Sequence, residues 1–246
     1  MPAQVTILLE GYYEVKAGQE NTRPTVTLVR DGDFVMVVDP GVMESQQLLI
    51  DALAKQGLAV DDVDVVCLTH SHIDHYRNVG MFPKAKVLEY FGLWEGGRPT
   101  EWQENFSENI QIIKTPGHDY SCITLLVKTE QGVAAICGDV FWKENYPEKD
   151  PYASDVKQLE QSRALVLKMA QWIIPGHGGM YKIRAKVTKE KAKNGKKVAP
   201  QPLGHCKDCA RALMSQNDRC VCQEWLCYNC CECEDDCDTC NCSHKR

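Results

Sequence analysis

The stretch Thr69-His70-Ser71-His72-Ile73-Asp74-His75 places three histidines and an aspartate within six residues, in a chain of 246 residues that has seven histidines in all. Neutral imidazole and carboxylate suit borderline divalent metals such as zinc. His70 and His72, two apart in an extended turn, can face the same way. The apolar run Val63–Leu68 just before them reads as a buried strand, and Asp74 and His75 open the next helix, from which they can point back.

Outward from that stretch, strand-like and helix-like patterns alternate. Val5–Leu9, Thr25–Val29, Phe34–Val38, Ala85–Leu88, Ile110–Ile113, Ile123–Val127, Val133–Cys137 and Trp172–Ile174 read as strands. Glu44–Gln56, with Leu48, Leu49, Ala52 and Leu53 at helical spacing, and Asp155–Ala170 read as helices. Three further motifs each set one candidate ligand just past a strand and beside glycine: Thr115-Pro116-Gly117-His118, Cys137-Gly138-Asp139 and Pro175-Gly176-His177-Gly178. Strand ends of layered α/β folds are where sites are built, because the sheet holds the backbone while loops supply chemistry. A lone Pro-Gly-His is compatible with a plain loop and a lone Gly-Asp with a turn; the four motifs in this order argue for a metal centre.

The set His70-x-His72-x-Asp74-His75, His118, Asp139 and His177, preceded by Val38-Asp39-Pro40-Gly41, resembles the metallo-β-lactamase-fold hydrolases over about residues 5 to 183. The stretches Val5–Tyr12, Asn78–Pro83, Gly138–Phe141 and Gln161–Arg163 are similar to a compact subgroup of that family. The resemblance implies a four-layer αββα sandwich with a dinuclear centre at one edge. His70, His72 and His118 would hold one divalent cation, Asp74, His75 and His177 a second, and Asp139 would bridge them, with Asp39 orienting the ligand loops. Asp74 and Asp139 would then be the catalytic carboxylates. Two zinc ions would bring a shared water to a pKa of about 7, from 15.7 in bulk, giving a hydroxide to attack an ester, thioester or phosphodiester centre. A mononuclear iron site suits the same ligand types. The subgroup adds an expectation of ribonuclease-like chemistry on RNA. Three positions depart from the family's pattern: Pro40 stands where threonine or serine is usual, and Tyr76 and Arg77 stand where a small residue and glycine are usual, as substrate-proximal candidates or as plain helix surface. The spacings, 21 residues from His118 to Asp139 and 38 from Asp139 to His177, leave no room for a large inserted domain.

The composition is uneven. Eleven of 14 cysteines lie between Cys206 and Cys242, and residues 182–197 carry seven lysines, one arginine and one glutamate, a net of +7 in a chain whose total is −6. We therefore expect a catalytic domain over 1–184, a basic linker over 185–204 and a metal-stabilised Cys-rich module over 205–246. Cys206-x-x-Cys209 and Cys227-x-x-Cys230, 17 residues apart, fit a structural zinc site. A disulfide framework and an iron–sulfur cluster are the rival readings. The module is itself acidic, with five Lys/Arg against eight Asp/Glu. Any nucleic-acid docking would thus fall to the linker, unless that is only a solvated spacer.

Hydrophobic content of 43% and charged content of 25% exclude a fibrous or wholly disordered chain. The apolar runs are far shorter than the roughly 20 residues of a spanning helix, and Met1–Val5 has no leader-like pattern, so we expect a cytoplasmic protein without a membrane partner. The function expected is a dinuclear metal hydrolase acting on a small acyl compound or on RNA, the alternative being a non-catalytic zinc- and nucleic-acid-binding adaptor. The tail and the linker would dock protein or nucleic acid.

Overall fold

The computed structural model describes residues 1–184 and the short stretches 204–205 and 212–213. Within the unit Met1–Lys186, 14 strands and three helices are described. A seven-stranded sheet is built from β1 (Gln4–Leu9), β4 (Val26–Asp31), β5 (Phe34–Val38), β6 (Val65–Cys67), β7 (Lys86–Glu89), β8 (Gly92–Glu95) and β9 (Arg98–Thr100), in that spatial order. A five-stranded sheet follows the order β10 (Ile110–Lys114), β11 (Ile123–Thr129), β12 (Gly132–Ile136), β13 (Trp172–Ile174) and β14 (Tyr181–Lys182). A separate hairpin pairs β2 (Tyr12–Lys16) with β3 (Gln19–Arg23).

Burial explains the layering. Met36, Val38, Val65, Cys67 and Leu88 of the first sheet pack on Ile110, Ile112, Ile123, Leu125, Ala134 and Ile136 of the second, forming the central core. The alternate residues Leu28, Val35, Val37 and Val66 face outward and meet Leu49 and Leu53 of α1 (Gln46–Lys55). Leu126, Ala135 and Ile173 face the other way and meet Leu159 and Val166 of α3 (Val156–Met169). Period-two alternation along each strand thus feeds two apolar faces, and the result is helix, sheet, sheet, helix. The helices are capped as their sequences suggest: Ser45 Oγ accepts Gln47 N–H at 3.2 Å and Asp155 Oδ1 accepts Gln158 N–H at 3.0 Å. Leu48, counted above on the apolar face of α1, is 38% exposed instead.

β5, β6 and β7 run parallel, as do β12 and β13. Their carboxyl ends therefore gather at one edge. The sheets are stitched together there, Ile123 N–H donating to Thr69 O at 2.8 Å and Thr25 N–H to Gly176 O at 2.6 Å. No helix of the described residues is long and apolar enough to cross a membrane. In the second unit, Val187–Arg246, the described backbone is the antiparallel pair β15 (Gly204–His205) and β16 (Ala212–Leu213). The basic linker and the zinc ligands expected at Cys206, Cys209, Cys227 and Cys230 lie outside the described residues.

Candidate metal centre

Each strand that ends at this edge delivers one part of the centre. β5 ends at Asp39, β6 at Thr69-His70, β10 at the turn to His118, β12 at a short 3₁₀ turn (Gly138–Val140) carrying Asp139, and β13 at His177. After β6 the chain turns into α2 (Ile73–Tyr76), whose first turn holds Asp74 and whose buried face holds His75. Glycine is required where the loops touch. A Cβ at Gly176 would run into the Asp139 carboxylate, and one at Gly41 into the backbone carbonyl of Asp74.

All seven expected side chains converge, in two sets: His70, His72, His118 and Asp139, and Asp74, His75 and His177. In the first set His72 Nδ1 lies 3.1 Å from His70 Nε2 and 2.9 Å from His118 Nε2. In the second, His75 Nε2 and His177 Nε2 are 3.4 Å apart, with Asp74 Oδ2 3.8 Å and 3.6 Å away. Asp139 stands between the sets: its Oδ2 is 3.4 Å from His118 Nε2 and 3.3 Å from His177 Nε2, and its Oδ1 is 3.3 Å from His75 Nε2.

The outward-facing ring nitrogens decide what the inward-facing ones are. His75 Nδ1 meets Asp39 Oδ2 at 2.9 Å, His118 Nδ1 meets Asp150 Oδ2 at 2.6 Å, and His177 Nδ1 meets the Arg23 carbonyl at 3.0 Å. His70 Nδ1 meets the Thr69 hydroxyl at 3.1 Å, and that hydroxyl is already spent as a donor to Asp39 Oδ2 at 2.7 Å. Each Nδ1 must therefore carry the proton and donate, which leaves the four Nε2 lone pairs aimed at the centre. The His75 and His177 lone pairs, 3.4 Å apart, repel unless a cation or a proton lies between them. Ligand nitrogens at 2.0–2.1 Å around a tetrahedral ion are about 3.3 Å from each other, so the spacing fits a metal. The fully buried Asp139 Oδ1 has no hydrogen-bond donor, which marks the same want of a positive partner.

The electrostatics agree. Burial, reinforced by the neighbouring imidazoles, keeps His70 and His72 below the ordinary histidine range, hence neutral as metal ligation requires. At His75 and His177 burial pushes the same way but is overcome by the Asp139 carboxylate, joined at His75 by Asp39, so both are raised. Asp139 itself is held well below the usual carboxylate range by His177 and His75 in spite of its burial.

Asp39 hydrogen-bonds to Thr69 and His75 in the segment that follows β6. Its Oδ1 accepts Thr69 N–H at 2.7 Å while Oδ2 serves the Thr69 hydroxyl and His75. Two partners were not legible beforehand. Asp150, in the loop before α3, backs His118, and nothing in Lys149-Asp150-Pro151 announces it. Thr22 of β3 reaches His177 Nδ1 at 2.9 Å and donates to Asp74 Oδ2 at 3.2 Å. The two-residue Ala17-Gly18 turn, both at positive φ, was the available signal for its hairpin. Tyr76 is half-buried and Arg77 exposed; among the described residues neither side chain has a hydrogen-bond partner. The next residue, Asn78, instead ties α2 down by donating to Gly41 O at 2.6 Å.

An αββα sandwich with seven His and Asp side chains gathered at its open edge defines a class, and the chain belongs to the metallo-β-lactamase superfamily, a superfamily of metal-dependent hydrolases whose model matches residues 22–111. Within it, the chain is 34% identical over 193 residues to metallo-β-lactamase domain-containing protein 1 of Xenopus laevis, covering 74% of this chain and 82% of that protein. A Thermotoga maritima protein crystallised as a candidate metallo-β-lactamase shares the fold at TM-score 0.60 and 22% identity, over 74% of this chain and all of the other. So does a dizinc quorum-quenching lactonase in complex with a product, at TM-score 0.55 and 15% identity over 70% of this chain and 80% of that one.

Proposed function

We propose that this chain is a hydrolase holding two divalent cations, zinc being the natural choice for the donor set, and that it cleaves a carbonyl-centred ester or thioester. The convergence of imidazole lone pairs and the orphaned Asp139 oxygen on one buried point carries the reading. Two such cations supply a hydroxide at neutral pH and a Lewis acid for the oxygen that becomes an anion. The protein's own work is placement. His70, His72 and His118 hold one cation, Asp74, His75 and His177 the other, and Asp139 fixes their separation. The dizinc centre of the lactonase supports the two-ion count.

The approach to the centre favours an acyl substrate over RNA. His72 is the imidazole of the set left only half-buried, and beside it in sequence Ile73 is 54% exposed. Tyr120, two residues after His118, is 60% exposed and packs against the exposed Phe91 at 6.4 Å. Asp119 accompanies them. Burial opposes its ionisation, but hydrogen bonds from Ser121 hold it below the usual carboxylate range, which leaves a negative charge near His72 that would oppose a polyanion. Arg77, one helical turn from Ile73, would take a carboxylate of the substrate.

The test is hydrolysis by the full chain, metal-depleted and restored, on ester, thioester and lactone panels and on single-stranded RNA. Acyl turnover that returns with added zinc is expected. Asp139→Ala should lower it by at least about 100-fold, the loss that outer-sphere partners of a metal alone can reach. RNA cleavage without acyl turnover would move the substrate to a phosphodiester, and metal-independent turnover would end the proposal.

A further inference from the structure

One imidazole in each ligand set is backed by a carboxylate. Asp39 serves His75; Asp150 serves His118. The Asp150 side chain is fully buried, and each oxygen has a single partner: Oδ2 at 2.6 Å from His118 Nδ1, Oδ1 accepting Tyr152 N–H at 2.9 Å. The same loop grips the backbone beneath the ring. Ser154 N–H donates to His118 O at 2.9 Å and Asp155 N–H to Gly117 O at 2.9 Å. The remaining outward nitrogens have uncharged partners, a threonine hydroxyl for His70 and a carbonyl with a hydroxyl for His177. A buried carboxylate is costly to keep unless it is paired, and here its hydrogen-bonded partners are one imidazole N–H and one backbone N–H.

We infer that Asp150 is the positioning residue of the His70/His72/His118 cation site. Its charge-assisted bond fixes His118 as the Nδ1–H tautomer, aims Nε2 at the cation and makes that nitrogen a stronger donor. The two cations therefore depend on different carboxylates, and removing Asp150 releases one and spares the other. This rests on the two-cation reading above.

The experiment is competition for Zn²⁺ with a chromophoric chelator, and the Co²⁺ electronic spectrum, on the full chain as wild type, Asp150→Asn and Ser154→Ala. The Cys-rich tail adds the same background to each. Asp150→Asn keeps an acceptor and loses the charge. It should bind one ion about 10- to 100-fold more weakly, shift the spectrum of that ion, hold the second ion at wild-type affinity, and melt in its metal-free form as wild type does. Ser154→Ala removes a hydroxyl bond to Gly117 O in the same loop and should leave both affinities unchanged. Unchanged binding of both ions in Asp150→Asn, or an equal loss at both, overturns the assignment alone. A wild-type chain that takes up no ion beyond the tail's background overturns the two-cation reading with it.

Discussion

Asp39 shows how much a single residue settles here. It adopts φ +52, is 2% exposed, and answers three donors: Thr69 N–H, the Thr69 hydroxyl and His75 Nδ1. Alanine would leave three buried groups unpaired at about 1–3 kcal/mol each, in a left-handed conformation it dislikes. Asparagine tolerates that conformation and keeps one acceptor. Asp39→Ala should therefore melt well below Asp39→Asn by calorimetry of the metal-free protein, and equal melting temperatures would refute this account. Cys137 carries a separate expectation. Burial pushes its thiol far above the usual range, as it does those of Cys67 and Cys122. Alkylation mapped by mass spectrometry at pH 8 should leave these three unmodified in the folded protein. The expected ligands were readable from sequence because histidine is scarce and each motif ends in a strand stop. Asp150 and Thr22 were not, because a carboxylate or hydroxyl that serves an imidazole across 32 or 155 residues leaves no local pattern.

At the scale of the element, strands that are runs of buried apolar residues were legible, whereas β2, β3, β8, β9 and β14, short or only partly buried, were not. β5, β6 and β11 are runs of buried apolar residues, and periodicity finds them. β3 and β9 are mostly exposed and polar and β2 is only partly buried at Tyr12–Glu14, so only the turns Ala17-Gly18 and Gly96-Gly97 betray them. α3 does two jobs: it covers the outer face of the second sheet through Leu159 and Val166, and its amino end abuts the loop that holds His118. Leu159 is 1% exposed, and a Cβ at Gly117 would collide with its backbone. Leu159→Ala should cost about 2–5 kcal/mol in chemical denaturation. A loss below 1 kcal/mol would show that the helix does not support the sheet as described.

For the whole molecule, the seven ligands span positions 70 to 177, and the bonds that orient them reach back to Thr22. The four-layer architecture was legible through the family resemblance that the His and Asp motifs carry, while periodicity by itself gave only the alternation of strands and helices. The contacts that bring the start of the chain against β11 and the end of the hairpin against the turn after β13 were not legible, since such long-range pairings follow from closure of the whole. The composition break near residue 184 and the Cys-x-x-Cys pairs support a separate zinc-bearing module as a proposal. Elemental analysis of the reduced full chain should then find more than two zinc ions per molecule, and two or fewer would dismiss the module. The stitch between Thr25 N–H and Gly176 O has one more consequence. A ribosome makes the amino-terminal half of this centre long before the turn that follows β13, so a nascent chain can gather His70, His72 and His75 but not the complete cage. The complete set of side chains can therefore assemble only once synthesis has passed His177.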